Sequence, residues 1–395
     1  MSQDPIVIVS AVRTPLGRFL GELAPLQASE LGAHAIRAAL ERANLAPGKV
    51  DEVLFGNVLT AGQGQAPARQ AARAAGLPDS TGATTINKVC GSGMKATFLA
   101  HDLLAARSAD IVVAGGMESM SNAPYLLQKA RSGFRAGHGQ ILDHMLLDGL
   151  EDAYEKGRSM GDFGEATAEA YQFTRADQDA FAVETLTRAR NAIQSGAFKA
   201  EIAPIKIAIK EGEKIVADDE NPLKVSPEKI AKLKPAFRPN GTITAASSSA
   251  NADGAAALVL TRRSVAEREG LPVLAAIRAH AIHSQEPAWF TTAPIPAMRM
   301  VLAKAGWEAA DVDLYEVNEA FAAVAMAAQK DLAIPRDKLN VNGGACALGH
   351  PIGATGARLI VTLLHALAHR GVRKGVASAC IGGGEATAIA IETVN

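Results

Sequence analysis

Residues 6–9, 111–114, 256–260 and 386–391 are short apolar runs, separated by longer stretches whose apolar residues recur every three or four positions. The short runs predict strands, and the spacing over 31–43, 95–106, 296–305 and 354–369 predicts helices. Alternation of the two kinds marks an α/β protein. At 395 residues the chain is long enough for two or three domain-sized units.

The pattern repeats. Ala35, Arg37, Leu40, Ala43, Val50 and Asp51 fall in one register on Ala297, Arg299, Leu302, Ala305, Val312 and Asp313. A nearly identical offset places Cys90 on His350, Gly93 on Gly353 and Leu103-Leu104 on Leu363-Leu364. Gly115-Gly116-Met117-Glu118 has an echo in Gly382-Gly383-Gly384-Glu385. Several aligned stretches in one order indicate duplication. Expected boundaries are an N-terminal half over 1–120 and 245–270, and a C-terminal half over 271–395. The intervening 121–244 differs in character, with Pro and Gly punctuation and a charge-rich helical pattern over 175–190. It is expected to be an insertion covering the mouth of a site. Its run Lys224, Lys229, Lys232, Lys234 and Arg238 is a solvated face or a phosphate contact.

Composition narrows the function. With 40 basic and 41 acidic residues the net charge is −1, without the basic excess of a nucleic-acid binder. Cys90, Cys346 and Cys380 are the three cysteines, too few and odd in number for a secreted disulfide framework. The N-terminus leads straight into the first apolar run, and no run is expected to span a bilayer. The expectation is a cytoplasmic protein without a membrane partner.

Four segments carry candidate chemistry. Cys90 lies in Val89-Cys90-Gly91-Ser92-Gly93 at a strand-to-helix turn, where a helix N-terminus is expected to lower the thiol pKa. His350, at the matching repeat position, lies in Gly349-His350-Pro351-Ile352-Gly353. A pseudo-two-fold would bring the two helix starts together, giving an activated nucleophile. Cys380 precedes three glycines, a loop able to aim backbone N–H groups at an oxyanion. Asn318, in Asn318-Glu319-Ala320-Phe321-Ala322, is an amide at another strand-to-helix transition, where an N-cap is the plain alternative.

Together these blocks resemble the thiolase family in kind, order and spacing, and the likeness runs from Val12-Arg13-Thr14-Pro15 to the last strand. The resemblance implies a five-layered α/β/α/β/α fold of two duplicated halves with an inserted loop domain, assembled as a homotetramer or dimer. It implies acyl transfer between coenzyme A thioesters, condensing two acetyl-CoA or cleaving a 3-ketoacyl-CoA, with coenzyme A as substrate or product and no permanently bound cofactor or metal. In such a site Cys90 becomes acylated, His350 helps to deprotonate it, and Cys380 moves the α-proton. Asn318 (through a water) and His350 would form one oxyanion hole, and the N–H groups of Cys90 and Gly382 the other. Ser249 and Met160 would contact pantetheine or acyl group, Phe321 would wall the pocket, and Lys224, Lys232 and Lys234 would meet the phosphates.

The sequence departs from the pattern in two places. Ser159-Met160-Gly161 stands where many short-chain members have His-Met-Gly, and Phe290 stands where many biosynthetic members have methionine. A ring at 290 is expected to narrow the pocket toward short acyl groups. A longer-chain degradative thiolase of fatty-acid β-oxidation is the alternative. Rival readings are weaker. A carrier-protein synthase of the same superfamily would pair its cysteine with two histidines, and a non-catalytic lipid carrier should have lost a reactive group. His365 and His369 lack the glutamate of a zinc motif, and the glycines near 349–356 do not fit a dinucleotide loop.

Overall fold

The computed structural model describes residues 4–210 and 212–394. The N-terminal half runs β1 (Ile6–Arg13), α1 (Ala28–Ala43), β2 (Glu52–Gly56), α2 (Pro67–Ala74), β3 (Gly82–Ile86), α3 (Ser92–Ala105) and β4 (Ile111–Ser119). The insertion contains α4 (Met160–Tyr171) and α5 (Arg175–Ser195), and β5 (Ala252–Arg262) then returns to the first sheet. The C-terminal half follows with β6 (Ala275–Ser284), α6 (Pro294–Ala305), β7 (Leu314–Val317), α7 (Ala322–Asp331), α8 (Ile352–Arg370), β8 (Lys374–Ile381) and β9 (Glu385–Thr393). Each predicted strand and helix lies within one of these elements, except that the helix predicted over 95–106 runs one residue past α3, where Ala106 is the C-cap.

Strand order is β3-β2-β4-β5-β1 in the first half and β7-β8-β9-β6 in the second, joined where β1 briefly pairs with β6. The two orders are the same, and directions match: β2 and β4 are parallel like β7 and β8, while β4–β5 and β8–β9 are antiparallel. The counterpart of β3 is reduced to a single parallel bridge between Tyr315 and Leu339. Helices α1 and α2 cover one outer face, α6 and α7 the other, and α3 and α8 pack between the sheets. These are the five expected layers.

Burial explains the sequence pattern. Every residue of β1, β4 and β5 is buried, so these strands read as apolar runs rather than alternations. Helix α8 is long and apolar enough by composition to cross a membrane, contrary to the expectation of no such run, but 83% of its apolar window is buried inside the protein. It is apolar all round because sheets lie on both sides of it. The Gly-Gly-x-Glu echo does not survive: Gly115 and Gly116 lie inside β4, whereas Gly383 and Gly384 form the positive-φ turn between β8 and β9. The strand glycines serve close approach. A Cβ on Gly116 would stand 2.0 Å from the carbonyl oxygen of Gly353, at the start of α8.

Candidate active site

Cys90 follows Val89, a β-branched residue held at φ 45°, in the left-handed region it normally avoids. Several hydrogen bonds hold this turn. Ser92 Oγ accepts from Lys88 N at 2.8 Å and donates to Val89 O at 2.7 Å, while Gly91 N donates to Lys88 O. Cys90 then packs with Val58, Leu59 and Ile352, the last only two residues beyond His350.

The C-terminal half delivers the second thiol to the same place. The Gly382 N–H donates to the Cys90 sulfur, and Cys380 lies close enough to feel the charge of Cys90. A Cβ on Gly91 would come within 2.4 Å of Ile381, so the two cysteine loops are in contact. Lys88 Nζ reaches Glu385 Oε2 at 2.5 Å, tying the segment before Cys90 to the one after Cys380. Asn318 directly follows β7 beside β8, its N–H donating to Ser378 O at 2.9 Å. Its side chain is fully buried, yet neither amide atom has a hydrogen-bond partner among the described residues. A buried amide left open in this way is set up to serve a ligand.

His350 is buried, and its hydrogen bonds assign its tautomer. The Thr355 hydroxyl donates to Pro351 O at 2.9 Å, so at 2.6 Å it must accept from the Nδ1–H of His350. Nε2 is then left with a free lone pair, and it has no partner among the described residues. Burial and the nearby Arg358 push the imidazole pKa down to about 3, so the ring is neutral. This is the form a general base requires.

Both thiols are protonated. Part of the Cys90 surface remains accessible, but burial still pushes its thiol up to about 11, against the pull of the Gly382 and Cys90 N–H groups. The expected lowering by the helix N-terminus is therefore outweighed by desolvation. Burial and the neighbouring Cys90 raise Cys380 well above the ordinary thiol value. Cys346 is raised too, by burial and the Glu319 carboxylate, which suits a packing role.

A cavity of about 860 Å³ leads to this cluster. Met160, Ser249, Phe321 and His350 line it, together with Ser248 and Phe237. Cys90, Asn318 and Cys380 are not in its wall; Cys380 packs in one apolar cluster with Phe321 and Met160, which are. Met160 lies against the oxyanion-loop glycine: a Cβ on Gly382 would be 3.0 Å from its sulfur. Ser159 helps to start α4, sharing a capping box with Asp162. Phe290 is not in the wall. It is buried edge-on to Phe163 at 6.1 Å, and the pocket aromatics are Phe237 and Phe321, ring to ring at 5.8 Å. In the basic run it is Lys229 that lines the cavity, while Lys224, Lys232 and Lys234 are exposed outside it.

Sequence reasoning missed the residues that hold these groups. Thr355 fixes His350. Glu118 is wholly buried and accepts from Val58 N, Leu59 N, Gly353 N and Asn57 Nδ2 at 2.7–3.1 Å. It thereby fastens the wall behind Cys90 to the first turn of α8. Glu319 accepts from Thr185 Oγ1, Asn340 Nδ2 and Cys346 N, joining α5 to the loop before His350. A carboxylate inside an otherwise apolar strand was the available signal for Glu118.

Comparison with known proteins agrees with this geometry. The family model "Thiolase, N-terminal domain" matches residues 6–264, and "Thiolase, C-terminal domain" matches 271–393. An acetyl-CoA acetyltransferase 2 of Arabidopsis thaliana is 50% identical over 98% of this chain and 96% of its own. An acetyl-CoA acetyltransferase of Escherichia coli K12 is 49% identical over 98% and 99%. The crystal structure of the Bacillus anthracis acetyl-CoA acetyltransferase superposes with a TM-score of 0.96 at 41% identity, covering 99% of each chain. With both halves of its length matched, the chain belongs to the thiolase family.

Proposed function

We propose that the protein is an acetyl-CoA C-acetyltransferase, condensing two acetyl-CoA to acetoacetyl-CoA and coenzyme A and running the reverse thiolysis. One observation carries this: two neighbouring thiols from opposite halves, with a neutral imidazole of free Nε2 on the same turn as Ile352, whose apolar cluster packs against Cys90. The names of its relatives support acetyl as the acyl group.

The hydrogen bonds support a cycle in which protons balance. His350 Nε2 takes the Cys90 proton as the sulfur attacks the thioester carbonyl. The N–H groups of Cys90 and Gly382, already directed at the sulfur, hold the tetrahedral oxygen; removing one such donor costs about 3 kcal/mol of barrier. Coenzyme A leaves as a thiolate and takes its proton from Cys380, whose high pKa has kept it a thiol. Cys380 is now the thiolate needed to remove the α-proton of the second acetyl-CoA. The enolate oxygen is held by Asn318, through a water, and by the Nε2–H that His350 has gained. The enolate attacks acetyl-Cys90, and the departing Cys90 thiolate recovers its proton from His350. Cys380 ends the cycle as a thiol.

Ser249 and Met160 would hold pantetheine, with Phe321 and Phe237 closing the acyl end. Lys229 at the mouth, with Lys224, Lys232 and Lys234 around it, would attract the phosphates. Two exposed features support a homotetramer: the unpaired edge of β3, and a hairpin in the insertion that carries Tyr125, Leu127 and Ile141 into solvent.

Mass spectrometry after incubation with acetyl-CoA tests the assignment. The wild type should carry one acetyl group, and Cys90→Ser none. Cys380→Ser should still acetylate but lose condensation; condensation at the wild-type rate would remove Cys380 from the proton-transfer role.

A further inference from the structure

At the far end of α3 from Cys90, a second cluster joins the two halves. His101 and Asp102 belong to α3, and His280 to β6. The Asp102 Oδ1 atom lies 3.0 Å from His101 Nδ1 and 3.0 Å from His280 Nε2. One ligand-type atom from each residue lies within 4.8 Å of the others, and this is the one such group of three among the described residues. The rings are held in place: Phe98 stacks on His280 at 4.5 Å, and His101 meets His280 edge-on at 4.9 Å.

We propose that His101, Asp102 and His280 form a divalent-cation site of the zinc class that clamps α3 of the first half to β6 of the second. Two imidazoles and one carboxylate are the donors such a borderline ion prefers. Tetrahedral zinc with bonds near 2.1 Å sets its ligands about 3.4 Å apart, so the two 3.0 Å separations present need to open by only a few tenths of an ångström. The ion would slip between groups already in position, replacing the shared hydrogen bonds. Side-chain exposures of 21–56% leave the open coordination positions facing water and give the ion an entry path.

His101 and Asp102 stand eleven and twelve residues beyond Cys90, roughly 17 Å at helical rise, so the ion has no place in acyl transfer. Its effect is on how firmly the halves are joined, since a ligand bound only by the folded state stabilises that state.

The test is zinc titration by calorimetry of the full-length protein after chelator treatment, with Cys90→Ser in parallel to separate binding by the accessible thiol. The expected result is a saturable site retained in Cys90→Ser and weakened about tenfold or more in Asp102→Ala and in His280→Ala. Cobalt(II) should give visible d–d bands without a sulfur charge-transfer band. Wild-type affinity in either ligand variant, or loss of the site in Cys90→Ser, overturns the proposal. So does a wild type that takes up no zinc, which would make the group a hydrogen-bonded clamp only.

Discussion

Glu118→Gln separates a positioning role from a binding one. Each Glu118 oxygen accepts two donors, Oε1 from Asn57 Nδ2 and Leu59 N, and Oε2 from Val58 N and Gly353 N. Glutamine keeps the shape but turns one oxygen into an NH₂, so in either orientation two buried donors face another donor. An unsatisfied buried donor costs about 1–3 kcal/mol, so the substitution should destabilise the fold by about 2–6 kcal/mol, less whatever is recovered by no longer burying a charge. The consequence for catalysis is local. Val58, Leu59 and Ile352 are the apolar wall behind Cys90, and a shift approaching 1 Å there should lower kcat roughly ten- to a hundredfold. KM for coenzyme A should hardly change, because neither Glu118 nor its four partners line the cavity. A pH profile adds a second readout. Burial pushes Glu118 up from its ordinary 4.5 to about 7, so between those values the folded state holds a proton that the unfolded state has lost. Stability conferred by this group is then full below about 4.5, falls by about 3 kcal/mol as pH rises to 7, and is level above. Glutamine should remove that slope. Initial thiolysis rates and urea unfolding at pH 5 and 8 check both parts. Wild-type kcat in a variant with the expected loss of stability would refute the positioning argument.

Three further outcomes are expected. Lys224→Ala, Lys232→Ala and Lys234→Ala combined should raise KM for coenzyme A at low salt and much less at high salt, where exposed charges are screened; an unchanged KM would mark the run as a solvated face. Glu385→Gln weakens the link from Lys88 and should lower kcat several-fold with normal acetyl-CoA binding, measured by comparing kcat with KM; an unaltered kcat would leave the ion pair without a positioning role. If the proposed homotetramer uses the hairpin, Tyr125→Ser, Leu127→Ser and Ile141→Ser combined should lower the assembly mass by light scattering, and an unchanged mass would clear the hairpin of that role.

Much of the fold was legible because burial is extreme. Strands enclosed on both faces become apolar runs, and β1, β4, β5 and β9 were visible for that reason. The duplication was legible where both halves need the same contact, as at Gly93 and Gly353, where the starts of α3 and α8 meet. The Gly-Gly-x-Glu echo misled because glycine answers two needs, close approach inside β4 and positive φ after β8, and a sequence does not separate them. Cys90, Asn318, His350 and Cys380 could be singled out from the sequence as candidates, but the state of the thiols could not. A helix N-terminus can be read from a sequence, whereas the desolvation that outweighs it depends on residues far along the chain. Phe290 failed similarly: an aromatic near a pocket in sequence turned its ring to Phe163. Glu118 and Thr355 went unseen because each acts through another residue.

The duplication also accounts for the division of labour. Two copies of one strand-to-helix turn face each other across the middle layer, so each half presents the start of a helix to the same small volume. Two identical groups there would be two thiols or two imidazoles, neither of which completes the chemistry. With cysteine at one turn and histidine at the other, the proposed cycle takes one as the nucleophile and the other as its base. Cys380 enters from the end of a strand rather than a helix start, and so is buried more deeply than Cys90. That difference in burial matters to the cycle. A more exposed, lower-pKa Cys380 would reach the second step without needing the first, and could abstract a proton before any acetyl group was in place to receive the carbanion. In the proposed cycle, keeping Cys380 a thiol until coenzyme A leaves makes proton abstraction depend on acylation, so the order of the two half-reactions would follow from the burial of one sulfur.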